Sequence, residues 1–409
     1  MTVAATREAG AGPGERALVA RAWRYAVLVF ASVRVGLSLL ALAAVALLPN
    51  AANVPGGAEA GLPGPVDVPG WPAPQPGPGW HNLFTAWERF DALWFLRIAE
   101  EGYRARDGSA AFFPLYPLTV RVLSGVLGGH PFAAALLLSS GALVAALVLL
   151  YLLTAHELDE EAARRAVLYT CLFPGAVFLF APYSEPLFLL CSVGAFLAAR
   201  RGRWAVAGAA GALAAATRSV GILLGPALAV EALTRRREGE RAWPGLLAAA
   251  AVPLGTLAYL GWWGLAWGDP LAPLRQQATW QRSAAAPWET ALQATRQAFR
   301  WIGTYPGGYH LLDWLLVVPV AAACVYAAFR FRPAYAVYAL ASLLVPLAYA
   351  FPPRPLMSVP RFAAVLFPVS WVLADLTRRR ILPHAGVVAV SAGGLAISTL
   401  LFAGWYYIF

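Results

Sequence analysis

Apolar runs long enough to cross a membrane recur along the chain, and they restrict what it can fold into. A helix needs about 20 apolar residues to cross the hydrocarbon core of a bilayer. Hydrophobic residues make up 60% of the 409 positions and charged residues only 13%, whereas soluble domains carry about 25% charged residues. The sequence therefore predicts an all-α polytopic membrane protein. Its eleven predicted spans lie near residues 24–49, 131–154, 165–181, 184–200, 204–217, 219–234, 243–266, 311–329, 334–350, 360–377 and 382–405.

The arginines predict how these spans are oriented. All 31 basic residues are arginine, and clusters of them fall at every second boundary between spans, beginning before the first one. Because short cytoplasmic loops carry an excess of basic residues, this alternation indicates a cytoplasmic N-terminus and an external C-terminus. The segments 204–217 and 219–234 are treated as two spans, since a single crossing would break the alternation. The net charge of +10 is thus dispersed over short loops and does not indicate nucleic-acid binding.

The spans divide the chain into three parts. We predict a cytoplasmic tail at 1–23, a membrane domain at 24–377 and a last span within 378–409. The membrane domain would present two large outward loops, 50–130 and 267–310. Residues 50–79 are rich in Pro and Gly and nearly free of charge, which is typical of an irregular or disordered lead-in.

Cysteine and histidine give no sign of a metal centre. The three cysteines (Cys171, Cys191 and Cys324) all fall within apolar runs, and the five histidines are scattered. No spacing between them suggests a zinc site, so we predict neither a metal nor a cofactor.

Residues 87–103, in the first outward loop, mix charged and aromatic side chains between two apolar regions. An amphipathic helix at the membrane surface is the simplest interpretation, because Trp and Arg are common there. The alternative is that Asp91 is a base held beside an anionic lipid headgroup. Under the second interpretation, Asp91 would form a site with other polar residues on the outward side, namely Glu185, Arg218 and Arg361. Polar groups at membrane depth are costly and usually functional.

A carboxylate opposite arginines is the minimum equipment for moving a sugar from a lipid phosphate. The carboxylate accepts the proton of the acceptor hydroxyl, and the arginines stabilise the charge that grows on the departing phosphate. The planar guanidinium group also binds phosphate oxygens in pairs.

These residues lie in stretches that resemble a known family. Residues 87–103 resemble the signature R-W-D-x-x-W/Y-F/Y-x-x-I-A-x-x-G-Y of the phosphatidylinositol-glycan class V mannosyltransferases and their bacterial relatives, with Phe90 where Trp usually precedes the Asp. Further stretches agree in order and, with the first, cover most of residues 80–370. They are 112–117, 183–188, 216–221, 268–271 with Gln277, Trp280 and Arg282, and 358–362.

The resemblance implies the GT-C architecture, with short surface helices in the first outward loop, and a polyprenyl-phosphate-mannose donor. The chain would be an inverting mannosyltransferase in a bacterial plasma membrane, with its site facing outward and a lipid, glycan or protein acceptor. In such enzymes a carboxylate in the first outward loop is the usual base, which implies Asp91. We predict Arg218 and Arg361 as ligands of the donor phosphate. The predicted substrate-binding residues are Arg89, Trp94, Tyr183, Glu185, Gln277, Trp280 and Arg282.

Structural roles compete with each of these assignments. In a structural role, Asp91 would form a salt bridge with Arg89 or Arg97. Glu185 would cap the helix that begins there, where the N-terminal dipole favours a carboxylate. Arg218 and Arg361 would extend to the membrane surface, while Trp280 and Arg282 would belong to the interfacial aromatic belt. Arg34 lies deep in the first span and should face other helices, although the sequence does not name its partner.

Two other functions fit part of the pattern. A lipid-linked sugar flippase or transporter would also use outward arginines and aromatic residues, but it needs polar residues along a path through the bilayer. Here nearly all of the unusual polar residues fall on one face. A non-catalytic assembly subunit is the other alternative, against which the intact Asp91 and arginines argue.

Overall fold

The computed structural model describes residues 13–48, 79–276, 281–304 and 307–406. The predicted lead-in at 50–79 lies outside this part of the chain apart from Gly79. Two predicted substrate-binding residues, Gln277 and Trp280, also lie outside it.

Within these ranges the chain is almost entirely helical, which confirms the predicted fold class. Three short 3₁₀ helices cover Ser109–Ala111, Pro174–Ala176 and Ser219–Leu223. Two short strands, β1 (Ser283–Ala284) and β2 (Tyr349–Ala350), pair antiparallel with Ser283 opposite Ala350. The α-helices are α1 (Pro13–Leu47), α2 (Asn82–Thr85), α3 (Asp91–Glu101), α4 (Leu115–Val126), α5 (Pro131–Glu157), α6 (Glu160–Leu172), α7 (Val177–Phe180), α8 (Glu185–Arg200), α9 (Trp204–Thr217), α10 (Leu224–Arg237), α11 (Trp243–Ala251), α12 (Leu254–Trp267), α13 (Ala272–Arg275), α14 (Pro287–Arg300), α15 (Gly307–Arg330), α16 (Pro333–Ala348), α17 (Val359–Ala363), α18 (Phe367–Arg378) and α19 (His384–Ala403).

The centre of the bundle is formed by α5, α8 and α9, which pack side by side. On one flank α1 packs against α5 and α19, and on the other α16 packs against α10 and α15. The segment predicted to form short surface helices in the first outward loop contains the short helices α2, α3 and α4. Of these, α3 packs against α4 and α5, so the segment that carries Asp91 rests on the bundle.

The number of membrane crossings is not confirmed. In the described ranges five helices are long and apolar enough to cross a membrane, and a sixth crossing results if the bent pair α6 and Pro174–Phe180 counts as one span. The five are Pro13–Leu47, Pro131–Glu157, Trp243–Trp267, Gly308–Arg330 and His384–Ala403. The apolar helix α9 has 14 residues and is therefore only about 21 Å long, shorter than the hydrocarbon core of about 30 Å. Eleven crossings and their orientation stay predictions.

Several predicted spans are interrupted rather than continuous. The predicted span 165–181 bends by 67° where Pro174 follows Phe173, because proline lacks a backbone donor and disfavours helical geometry in the residue before it. The predicted span 360–377 is divided between α17 and α18. Arg218 is extended (φ −151°, ψ 147°) between α9 and the following 3₁₀ helix, so the helix is interrupted there. That 204–217 and 219–234 are two separate crossings stays a prediction.

Several of the clustered arginines are held in ion pairs that tie helix ends together. Glu231 of α10 is buried and accepts from Arg200 of α8 at 2.9 Å and from Arg332 at 3.2 Å. Asp375 of α18 has no exposed side-chain surface and pairs with Arg330 at 3.1 Å and Arg379 at 2.9 Å. These arginines therefore connect neighbouring helices in addition to their predicted effect on orientation.

Cysteine labelling tests the predicted orientation. We expect Glu101→Cys and Arg300→Cys to react with an impermeant thiol reagent added to intact cells. We expect Arg203→Cys and Arg237→Cys to react only after permeabilisation, because the arginine clusters should be cytoplasmic. All four positions are exposed, and the native cysteines are buried and unpaired, so the background should be low. Labelling of the second pair in intact cells would reverse the orientation.

Candidate active site

Four side chains predicted from separate stretches of sequence form one network of ion pairs. The Arg361 guanidinium donates to Asp91 Oδ2 through Nη1 and to Glu185 Oε1 through Nε. The Arg218 guanidinium donates to the same Glu185 oxygen through Nη1. Asp91 and Arg361 are 270 residues apart in the chain, so only the fold brings them together.

The network balances two carboxylates against two guanidinium groups in a nearly dry environment. The Glu185 side chain is 0% exposed, while those of Arg218 and Arg361 are 10% and 12% exposed. Asp91 is the most accessible member, with 21% of its side chain exposed. Because a buried unpaired charge is strongly destabilising, each of these groups depends on the others.

The network forms one wall of a cavity of about 450 Å³. Asp91, Arg218 and Arg361 line the cavity. Glu185 does not line it and contacts the two arginines on the side away from the cavity. The rest of the wall combines a few polar side chains with a large aromatic and aliphatic surface. The lining residues are Phe90, Asp91, Phe95, Ala111, Phe112, Phe113, Phe178, Tyr183, Ser184, Thr217, Arg218, Ser219, Pro273, Leu274, Arg282, Val345, Pro346, Tyr349, Met357, Ser358, Arg361 and Phe362.

Asp91 is placed by a strained turn and by a tyrosine. It is the first residue of α3, where a carboxylate is favoured by the helix dipole. Phe90 before it has a positive φ of 53°, which is sparsely populated for a bulky residue and is found mainly at functional sites. The Asp91 amide donates to the Tyr183 hydroxyl at 3.2 Å, and that hydroxyl donates to the Arg89 carbonyl at 2.9 Å.

Asp91 does not form the salt bridges considered from the sequence. Arg97 pairs with Asp107 instead, and its guanidinium lies 4.6 Å from the centre of the Trp94 ring. Arg89 donates to the carbonyl groups of Thr85 at 2.7 Å and Ala403 at 3.1 Å. The ionic partner of Asp91 is Arg361.

Arg361 is held by close backbone packing on one side and by aromatic rings on the other. Its helix α17 follows Ser358, which has a positive φ of 70°. A Cβ atom on Gly175 would lie 2.6 Å from the Pro360 carbonyl oxygen, so glycine is required for this approach. The guanidinium lies 4.7 Å from the centre of the Tyr183 ring.

Arg218 occupies the break between α9 and α10. A Cβ atom on Gly221 would lie 2.4 Å from the backbone of Ala214, so the 3₁₀ turn packs tightly onto the end of α9. Arg218 Nη1 also reaches Ser184 Oγ at 3.4 Å, and its guanidinium lies 4.8 Å from the centre of the Phe362 ring. Its buried Nε has no hydrogen-bond partner within the described ranges.

The other predicted substrate-binding residues divide into two groups. Tyr183 and Arg282 line the cavity, and Arg282 donates to Ser358 Oγ at 2.8 Å. Trp94 and Arg89 do not line it. Trp94 is buried and stacks on Phe112 with ring centres 5.3 Å apart. Burial lowers the pKa of Arg89 to about 10, and its contacts with carbonyl groups fix the turn that precedes Asp91.

Sequence reasoning missed several residues of the cavity wall. Ser358 belongs to the quoted stretch 358–362, which was a usable signal, and it contacts Arg282. Phe178 and Met357 carry no sequence signal, because an aromatic or methionine residue in an apolar region usually belongs to a core. Among the described residues no group of three His, Cys, Asp or Glu side chains converges closely enough to hold a metal ion.

The sequence resemblance is confirmed for part of the chain. Residues 78–235 match the family model described as Mannosyltransferase (PIG-V). We call residues 78–235 the PIG-V segment, because they are similar to this family. Curated relatives are the "GPI alpha-1,6-mannosyltransferase 2" proteins of Rattus norvegicus, 36% identical over 154 residues, and Homo sapiens, 34% identical over 132 residues. The rat match covers 34% of this chain and 30% of the relative, and the human match 30% and 27%, so the similarity spans less than a third of either relative.

Two solved membrane proteins show a weaker overall similarity. ArnT from Cupriavidus metallidurans, bound to undecaprenyl phosphate, gives a TM-score of 0.48 at 16% identity, over 81% of this chain and 72% of that chain. The oligosaccharyltransferase AglB from Archaeoglobus fulgidus, with an inhibitory peptide and a dolichol-phosphate, gives 0.38 at 14% identity, over 92% and 56%. TM-scores below 0.5 do not establish a shared arrangement of the site.

The PIG-V segment supplies most of the ion-pair network but not all of it. Asp91, Glu185 and Arg218 lie inside residues 78–235, whereas Arg361 of the network and the cavity residue Arg282 lie beyond them. The site therefore combines the matched segment with α17 and with the strand β1 region. Arg361 joins the two parts, because it contacts both carboxylates of the segment.

Replacing Glu185 tests whether the shared carboxylate holds the network. We expect Glu185→Gln to lower the free energy of unfolding by about 3 kcal/mol or more, because two buried guanidinium groups lose their common partner. The measurement is thermal or denaturant unfolding of the purified protein in detergent. Ser184→Ala removes only the contacts at 3.4 Å and serves as the matched control. Equal stability of Glu185→Gln and Ser184→Ala would contradict this role.

Proposed function

We propose that this protein is a membrane mannosyltransferase of the GT-C type. It transfers mannose from a polyprenyl-phosphate-mannose donor to an acceptor hydroxyl at the outer face of the membrane. The observation that carries the proposal is the convergence of Asp91, Arg218 and Arg361 on one cavity, within and beside the PIG-V segment. The apolar part of the same cavity suits a lipid-linked ligand.

The arginines bind the donor phosphate in this mechanism. Both arginines line the cavity, and Arg361 offers a guanidinium that also binds Asp91 and Glu185. A planar guanidinium binds two phosphate oxygens at once, and in a dry site it stabilises the additional charge that the phosphate acquires as its bond to mannose breaks. Glu185 keeps both arginines oriented while the phosphate is bound.

Asp91 acts as the general base. The acceptor oxygen forms a bond to the anomeric carbon of mannose while the bond from that carbon to the phosphate oxygen breaks. The electron pair of the broken bond stays on the phosphate, and the hydroxyl proton passes to Asp91. One displacement of this kind inverts the anomeric centre, and it releases polyprenyl phosphate and the mannosylated acceptor.

The ion pair between Asp91 and Arg361 suggests an order of events for the proposed reaction. Asp91 accepts from Arg361 through Oδ2, so this oxygen is occupied by the guanidinium. A donor phosphate that binds Arg361 competes with Asp91 for the same guanidinium and releases the carboxylate toward the acceptor. Donor binding therefore precedes proton transfer, and the base becomes available beside a bound donor.

Conservative substitution of the arginines tests donor binding. We expect Arg218→Lys and Arg361→Lys to weaken binding of a synthetic polyprenyl-phosphate-mannose by about tenfold or more, because a point charge cannot replace the planar fork. Binding is measured by displacement of radiolabelled donor in detergent. The control is Arg300→Lys, at an exposed position on α14. Wild-type affinity in both site variants would exclude these arginines as phosphate ligands.

Substitution of Asp91 tests the reaction itself. We expect Asp91→Asn to lower turnover by about 10²-fold or more, since the amide cannot accept a proton. Donor affinity should stay the same or rise, because the competitor for Arg361 is removed. Asp91→Glu keeps a carboxylate and should retain part of the activity. Turnover is measured as release of polyprenyl phosphate and transfer of radiolabelled mannose to a total membrane lipid extract.

Two outcomes would overturn the proposal. Full activity in Asp91→Asn would remove Asp91 as the base and make Glu185 the next carboxylate to test. The second outcome is that the wild type moves an intact lipid-linked sugar between the leaflets of reconstituted vesicles without releasing polyprenyl phosphate. That result would identify a flippase.

A further inference from the structure

Arg34 is a charged residue in an apolar helix, and the mechanism above gives it no part. It lies in α1, which is long and apolar enough to cross a membrane. No carboxylate pairs with it in the part of the chain that the structure describes. An arginine at membrane depth is costly, so its contacts should explain its presence.

The guanidinium of Arg34 joins two different segments. Its Nη1 donates to the Phe180 carbonyl oxygen at 2.5 Å. The same group lies 4.4 Å from the centre of the Trp87 ring, and Trp87 is fully buried. One turn earlier on α1, the Phe30 ring stacks on the Phe180 ring with centres 5.6 Å apart and planes inclined by 13°. Phe30 and Arg34 together fix Phe180 by its ring and by its carbonyl.

The Phe180 carbonyl needs a donor from outside its own helix. Phe180 is the last residue of α7, and Ala181 after it is extended with ψ of 165°. The last carbonyl groups of a helix have no partner within it, and a buried carbonyl without a donor is destabilising. Pro182 follows and has no backbone donor. Arg34 thus anchors the segment that continues directly into Tyr183 and Glu185.

The second contact of Arg34 reaches the segment that carries Asp91. Trp87 precedes Asp91 by four residues, across the turn that contains the strained Phe90. The two segments also touch near the site, where the Asp91 amide donates to the Tyr183 hydroxyl. Arg34 therefore contacts both segments that carry the carboxylates of the network, at Phe180 before Glu185 and at Trp87 before Asp91.

We propose that Arg34 is a positioning residue that fixes the separation between Asp91 and the arginines bound to Glu185. This inference rests on the proposed function, since the geometry it protects is that of the base relative to the donor phosphate. A displacement of about 1 Å in such a geometry lowers turnover by about 10²-fold even when the substituted residue is remote from the reacting atoms. Arg34 touches neither the cavity nor a reacting atom.

The experiment compares Arg34→Leu, Arg34→Gln and Arg34→Lys in the full chain. With synthetic polyprenyl-phosphate-mannose and a membrane lipid extract, we expect Arg34→Leu to lower apparent kcat by about 10²-fold. The KM for the donor should change much less, because Glu185 still holds both arginines. Arg34→Lys keeps a cation and a donor and should restore part of kcat. Arg34→Gln provides the same comparison if the Leu variant does not fold.

A second measurement does not depend on activity. Hydrogen–deuterium exchange should rise in Arg34→Leu, or in Arg34→Gln, in peptides that cover residues 87–91 and 181–185. The matched control is Arg21→Gln, on the same helix as Arg34. It removes an exposed ion pair between Arg21 and Glu160 of α6 and should alter neither region.

The outcomes separate the two proposals. Failure of the wild type to transfer mannose would refute the proposed function, and the exchange data would still decide whether Arg34 holds both segments. Unchanged exchange in both regions would overturn the role of Arg34. So would a wild-type kcat per folded molecule in Arg34→Gln or Arg34→Leu, because a purely structural residue would lower the yield of folded protein without changing kcat.

Discussion

The site depends on one buried carboxylate that two arginines share. Without Glu185, the guanidinium groups of Arg218 and Arg361 would face each other in a nearly dry environment with Asp91 as their single counter-charge. The like charges would repel, and their desolvation would be uncompensated. Glu185 has no exposed surface and does not line the cavity. Its contribution is to make two cations stable beside a space that can receive an anion.

Interrupted helices make this arrangement possible. Irregular backbone is tolerated at membrane depth only where it is buried in protein or lines a cavity. Three interruptions meet here, namely the bend after α6, the extended Arg218 and the turn before α17. The break at Arg218 and the turn before α17 bring Arg218 and Arg361 to the cavity, and the bend after α6 packs against the start of α17. Glycines at 175 and 221 permit the close backbone contacts that hold these interruptions together.

The network pairs two carboxylates with two guanidinium groups, and this balance bears on the proposed binding of a phosphate. Asp91 is both the most exposed member and the one bound by a single arginine. In the proposed mechanism it is therefore the group that the donor phosphate displaces. Under the same proposal, Arg34 and Tyr183 keep the backbone around Asp91 and Glu185 in place while this occurs, through their hydrogen bonds to the Phe180 carbonyl and from the Asp91 amide.

The sequence by itself determined the class of protein and most of the charged residues of the site. Apolar runs of this length predict membrane-spanning helices. Lipid offers no hydrogen-bond partner for backbone groups, and a helix pairs these groups within itself. The quoted motifs identified Asp91, Glu185, Arg218 and Arg361, because charged residues stand out in so apolar a chain. Tertiary structure decided the pairing of Asp91 with Arg361 rather than Arg89 or Arg97, the partners of Arg34, and the part played by Phe178 in the cavity. These depend on contacts between residues up to 270 positions apart, and local patterns of hydrophobicity and charge contain no information about which distant segments meet.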